Sequence, residues 1–350
     1  MPGWALLYPA ALARLGLVDR EKAEEAFELA APAMVTGGIR TVLRATDFFM
    51  VSLALGDAAV AGLEFGFQYY FIGFGLALGI SSGTISVVAR AKGAGDHATA
   101  DLAIKQSAWI ALAISLPLTL ATWLWADQMV GLLTHDVRTI EYGGTYLRLV
   151  MLAVVCRFWS MIAARALQGA GDTRTPMFVR LLTIPTNLVL DAVLIFGLGP
   201  FPRMGVAGAA LGTVIANTLA AVIFLAVLLS GRFPVRLRLS GPHWDGRLLR
   251  EVLRVGFPLA GTQLFRTLGR FPFLFILASI GTPLVAAYAI GRRVVLLALM
   301  PAWGFSIASS TLVGQSLGAG DPESARGYGW QTLRLAFVTQ TLIAVALFFA

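Results

Sequence analysis

Residues 205–230 read GVAGAALGTVIANTLAAVIFLAVLLS, a stretch of 26 positions with no charged side chain. A helix rises about 1.5 Å per residue, so roughly 20 residues cross a hydrocarbon core about 30 Å thick. The stretch is long enough, and apolar on enough sides, to be such a span. Comparable runs flank it, centred on 33–54, 60–88, 107–126, 146–167, 177–197, 255–280, 284–313 and 333–350, which brings the number to nine. Almost none has a polar face, which argues against soluble helices, and the absence of two-residue alternation argues against a barrel.

Composition agrees. Apolar residues make up 57% of the 350 and charged residues only 13%, with a mean hydropathy of +0.77. Soluble domains carry about 25% charged residues, so the surplus apolar surface is expected to face lipid. The single cysteine, Cys156, excludes an internal disulfide and reads as a small buried hydrophobe. His97, His135 and His243 lie far apart, so no metal site is expected. The N-terminus lacks the form of a cleavable signal. Asp19 instead opens a polar helix, as its N-cap, that feeds the first span.

The net charge of +8 is explained by topology rather than by nucleic acid. With the N-terminus inside, 17 Lys and Arg residues, among them Arg165 and Arg180, fall on that side, against Arg138, Arg148 and Arg203 on the other. This is the asymmetry of a multi-pass protein of the cell (inner or plasma) membrane with a cytoplasmic N-terminus. The basic face would attract anionic lipid head groups.

The chain also repeats itself. An offset of 225 residues places Gly79 on Gly304 and Gly93-Ala94-Gly95-Asp96 on Gly318-Ala319-Gly320-Asp321, with 13 identities over positions 56–100. Six spans precede the restart, so both copies enter the membrane in the same direction. The expected fold is therefore an all-α polytopic membrane protein of two parallel six-helix repeats forming two lobes. Residues 1–30 form an N-terminal cytoplasmic or interfacial helix, 31–230 the N-terminal lobe, 231–254 a basic cytoplasmic linker and 255–350 three spans of the C-terminal lobe. A full second copy would need roughly 130 further residues, so that lobe is expected to be incomplete.

Several loop words, in order, carry a family resemblance. Leu167-Gln168-Gly169-Ala170-Gly171-Asp172-Thr173-Arg174-Thr175-Pro176 and Val313-Gly314-Gln315-Ser316-Leu317-Gly318-Ala319-Gly320-Asp321 resemble connecting motifs of the multidrug and toxic compound extrusion (MATE) family. Asp47, Asn187-Leu188-Val189-Leu190-Asp191 and Gly205–Ala210 resemble its motifs in helices one, five and six. The resemblance covers about residues 30–350. It implies a secondary antiporter, coupled to H+ or Na+ and without other cofactor, that exports amphipathic, cationic drugs or metabolites by alternating access. The Gly-Asp words themselves read as helix stops and caps rather than as phosphate cradles.

Ionisable groups at bilayer depth are candidates for function. Arg40, Arg44 and Asp47 share one helical face, as do Asn187 and Asp191, four residues apart. The resemblance implies that Asp47, Asn187, Asp191 and Thr213 form a cation-coupling cluster. Arg44 and Asp47 could equally form a structural ion pair. Glu64, with Tyr69 and neighbouring aromatics, either lines a substrate cavity with Arg44, Arg266 and Arg270 or sits solvated at the outer interface. Pro117, Pro185, Pro258, Pro272 and Pro301 are expected to kink or break spans.

An enzyme is not expected: no Asp-rich metal motif and no His-Glu-x-x-His word occurs. Nothing resembles an ion-selective filter either. A flippase for lipids or lipid-linked oligosaccharides, from the same superfamily, is the closer alternative. The expected partners are a small-molecule substrate and the bilayer, with no nucleic acid and a monomeric state.

Overall fold

The computed structural model describes residues 7–238, 240–269, 273, 276, 288, 291 and 294–349. Side chains are described throughout these except at 41–45, 47, 48, 57 and 267. Eleven helices are defined and no strand occurs among the described residues. They are α1 (Leu7–Arg14), α2 (Arg20–Leu55), α3 (Asp57–Gly93), α4 (His97–Gly131), α5 (Val137–Leu152), α6 (Val154–Gly169), α7 (Arg174–Phe196), α8 (Val206–Leu229), α9 (Gly246–Leu268), α10 (Met300–Gly318) and α11 (Pro322–Phe349).

Among the described residues six helical stretches are long and apolar enough to cross a membrane alone, and α5 with α6, bent by 48°, passes the same test when the pair is taken as one span. The charged helices α2 and α9, of 36 and 23 residues, occupy the remaining two expected positions. The break in the fourth span falls at Ala153 and not at a proline. Pro117, Pro185 and Pro258 sit inside helices, with the non-helical residue of α4 at Trp125 rather than at Pro117; Pro301 lies in the first turn of α10, and Pro272 is outside the described residues.

Asp19 caps α2 as expected, accepting a bond from the Lys22 amide. The polar start of α2 is continuous with the first span, and a helix of this length, at about 1.5 Å per residue, outreaches the hydrocarbon core. Its small residues Ala23, Ala26 and Ala30 are fully buried, in a cluster with Phe305, Ala308 and Leu335 of α10 and α11. Tyr328 adds a hydroxyl bond to Glu25 at 2.5 Å. A larger core, around Leu147, Phe158, Ile162 and Phe224, joins α3 through α8.

The connection after α8 is pinned rather than loose. Asp101 of α4 accepts from the Arg236 amide at 2.9 Å and pairs with Arg238 at 2.9 Å. Lys105 donates to the carbonyls of Ser240 and Pro242, and Gln106 to that of Asp245. The irregular part ends at Gly246, where α9 begins.

Three Gly-Asp words end helices in one way. Gly95, Gly171 and Gly320 have φ of 73°, 93° and 78°, a region that a Cβ disfavours. The next amide returns to a carbonyl five residues back, Asp96 to Ala91, Asp172 to Leu167 and Asp321 to Ser316, each at 2.9 Å. Each Asp then caps the following helix through the amide of Thr99, Thr175 or Ser324. Bonds from Thr99 and Ser324 hold the Asp96 and Asp321 carboxyls below the usual carboxylate range.

The 225-residue offset reappears as reciprocal contacts. A Cβ added at Gly93 would lie 1.9 Å from the Gln315 carbonyl oxygen, and one at Gly318 would lie 2.0 Å from that of Arg90. Arg90 and Gln315 are themselves 225 apart, as are Gly93 and Gly318. Further along, Gly79 of α3 meets Gly256 and Ala260 of α9, while its counterpart Gly304 of α10 meets Ala30 and Met34 of α2. The α3–α9 and α10–α2 contacts are thus two copies of one packing, made across the repeat.

Candidate functional site

One cavity of about 260 Å³ lies within this frame, walled by α2, α3, α5, α6, α7, α8 and α10. Helical periodicity places its lining in stripes. Leu63, Phe67, Tyr70, Phe74 and Leu78 come from α3, and Arg157, Met161, Arg165 and Gln168 from α6. From α7 come Arg180, Thr183, Asn187 and Asp191, spaced three or four apart down one face.

Asp191 is 1% exposed, and the Asn187 side-chain amide donates to both of its oxygens at 3.1 Å. Gly212 of α8 makes room for it, because a Cβ there would stand 2.0 Å from Asp191 Oδ1. Thr213 lines the cavity one residue further on, and Asn217, four residues beyond Thr213, joins it. Asn187, Asp191 and Thr213 are therefore brought together on one wall. Asp47 stands in α2 seven residues after the cavity-lining Arg40; its side chain and that of Arg44 lie outside those described.

The other expected cavity residues are elsewhere. Glu64 is exposed, accepting a long bond from Gln68 at 3.4 Å, because the inward stripe of α3 passes through Leu63 and Phe67. Tyr69 turns to α4, its hydroxyl donating to the Met129 carbonyl at 2.6 Å. Arg266 is exposed on α9 and outside the cavity, and Arg270 is outside the described residues. Conversely, Arg165 and Arg180, assigned by sequence to the connections, line the cavity.

Sequence reasoning missed Arg157, Arg165, Arg180, Gln168 and Asn217 as a set. The signal was available in their spacing: Arg157, Arg165 and Gln168 fall on one face of α6, and Arg180 lies seven and eleven residues before Asn187 and Asp191 on α7.

Bonds between the two repeats gather at the end where α3 meets α10. Thr311 and Gln315 donate to the carbonyls of Gln168 and Gly169, each at 2.9 Å, and Arg90 pairs with Glu251 at 2.6 Å. Comparison with known proteins places this architecture. A family model described as MatE matches residues 32–193 and 258–350. The chain belongs to the MatE family. By family it is a multi-pass membrane transporter of the multidrug and toxic compound extrusion type. It is 31% identical over 330 residues to a Thermotoga maritima protein named "Probable multidrug resistance protein NorM", covering 93% of this chain and 70% of that one. A Shewanella oneidensis protein named "FAD transporter" is 26% identical over 344 residues, covering 96% and 74%. The fold matches a solved structure described as MATE in complex with MaD3S, with a TM-score of 0.85 at 24% identity over 93% of this chain and 72% of that one.

Proposed function

We propose that this MatE protein exports amphipathic small molecules by cation-coupled antiport, with Asp191 as the centre of the coupling site. The observation that carries the reading is Asp191 itself, a carboxylate 1% exposed on the wall of the cavity and held by Asn187. A carboxylate held out of water at this depth is costly as a bare charge, and a bound proton or Na+ would relieve it. Thr213 supplies a further oxygen nearby, and Asp47 completes the expected cluster. H+ or Na+ is then the coupling ion and no other cofactor is needed.

Alternating access is the mechanism that best uses the frame. The Thr311 and Gln315 bonds and the Arg90–Glu251 pair join elements of the two repeats at one end, so opening that end requires their release. The excess of Lys and Arg counted in the sequence supports reading that end as cytoplasmic, in a cell membrane, with the N-terminus inside. The named relatives differ in cargo, so family membership leaves the charge of the substrate open.

The test is uptake into proteoliposomes under imposed proton or sodium gradients. Asp191→Asn is expected to abolish gradient-driven transport while leaving a folded protein. Retention of full coupled transport by that variant would overturn the coupling assignment.

A further inference from the structure

The cavity wall holds charges that ion coupling leaves unused. Arg40, Arg157, Arg165 and Arg180 face the same space, and Asp191 is the one carboxylate among its described lining residues. With Asp191 ionised, Arg157, Arg165 and Arg180 against that carboxylate leave +2, Arg40 having interactions of its own. Arginine keeps its proton inside proteins, so this charge does not titrate away.

Partners within the chain are few. Among the described residues no carboxylate forms an ion pair with Arg157, Arg165 or Arg180. Arg157 Nε is buried without a hydrogen-bond partner, and its guanidinium lies 5.4 Å from the centre of the Phe74 ring. Arg180 lies 5.9 Å from the Phe224 ring centre and close enough to Arg40 and Arg157 for their like charges to repel. Arg165 reaches Gln168 at 3.4 Å. A guanidinium with no carboxylate partner keeps its forked donors for a planar or tetrahedral oxyanion.

The rest of the wall is aromatic, with Phe67, Tyr70, Phe74, Tyr146 and Trp303 lining the same cavity. A cation entering it would meet Arg157, Arg165 and Arg180, none of them paired with a carboxylate among the described residues. We infer that the cavity takes an amphipathic anion, a phosphate or similar compact oxyanion attached to an aromatic or acyl body. The oxyanion engages Arg157 and Arg180 and the body lies against the aromatic wall. This deepens the export reading, on which it rests for calling the ligand a cargo, and it reverses the cationic substrate expected from the family resemblance.

Calorimetric titration of the full chain in phosphatidylcholine nanodiscs tests the inference with three matched probes: naphthyl phosphate, uncharged naphthol and naphthylmethylammonium. The phosphate is expected to bind about tenfold more tightly than naphthol, and the ammonium most weakly. Arg157→Gln and Arg180→Gln should each lose about tenfold in phosphate affinity and leave naphthol unchanged, which also reports that the variants are folded. The lysine variants should retain most of the preference. Tightest binding by the ammonium, or an unchanged phosphate-to-naphthol ratio in the glutamine variants, overturns the inference. If the variants do not fold, the order of the three probes on the unaltered chain still decides.

Phosphatidic acid added to the disc distinguishes the source of the oxyanion. Competition with naphthyl phosphate supports a lipid head group, and lack of competition supports a soluble molecule bearing the same group. The two readings fail separately. Loss of the probe order while Asp191→Asn still uncouples transport removes the anion site alone. An intact probe order with coupling retained in Asp191→Asn removes the coupling assignment alone.

Discussion

The seam between the repeats and the wall of the cavity are both built from stripes along helices, yet they obey different rules. At the seam, Gly93 and Gly318 bring α3 and α10 together so closely that each faces the backbone of the other's helix. The contact is nearly the same when the repeats are exchanged, because a helix crossing of this kind needs only small residues at matching positions. The cavity wall has no such symmetry. Its acid–amide pair, Asp191 and Asn187, belongs to the first copy, with α10 adding Met300, Trp303, Gly304 and Ile307. Packing can be repeated by geometry alone, whereas a site needs particular groups at one place.

Substitutions can break that contrast, and the seam should be the more sensitive. Gly93→Ala or Gly318→Ala places a methyl within 2.0 Å of a carbonyl oxygen, which no rotamer change relieves. Each is expected to cost about 1–3 kcal/mol of stability. The double variant should depart from additivity, because both act on one crossing. Thermal unfolding in detergent measures this, and an unchanged Tm in both single variants would mean the crossing is not as tight as described.

On the cavity side, Gly212→Ala should act on function more than on folding. The added methyl must displace the Asp191 carboxylate, since it would stand 2.0 Å from Oδ1. Coupled transport is expected to fall about tenfold, in keeping with about 1.4 kcal/mol lost at the coupling site. Wild-type transport with wild-type ion dependence would remove Gly212 from the site.

Thr311→Val removes the bond to the Gln168 carbonyl and should cost about 1 kcal/mol in the bonded arrangement at that end. Faster hydrogen exchange at the ends of α6 and α10 is the expected readout. Unaltered exchange would show that the bond does not hold the two repeats together.

The smallest effect belongs to the turns. Asp96→Ala removes the cap on the Thr99 amide and should cost about 1 kcal/mol or less at neutral pH, the group being exposed. Its folded pKa lies below the unfolded value, so the contribution is present above about pH 4 and is lost as pH falls through the lower, folded value. A difference between variant and parent that grows on acidification would contradict this.

Much of this was legible in the chain. Hydropathy along one dimension marks spans, because lipid requires apolar residues in sufficient length. Gly95-Asp96, Gly171-Asp172 and Gly320-Asp321 announce their turns, because positive φ and capping are local demands. Asn187 and Asp191 were readable as a pair, since four residues return to the same face of a helix. Within a single helix, the sequence suffices.

What lies across from that face was settled only by tertiary structure. Arg180 and Arg266 both sit in long helices, but one lines the cavity and the other is exposed, according to how α7 and α9 are rotated against their neighbours. Glu64 and Phe67 are separated by less than one turn and point to different surroundings for the same reason. The bend at Ala153 and the docking of the α2 start on α10 and α11 likewise depend on packing partners far away in sequence. Periodicity determines which residues share a face, while the direction of that face is set by the sum of contacts made by all the other helices.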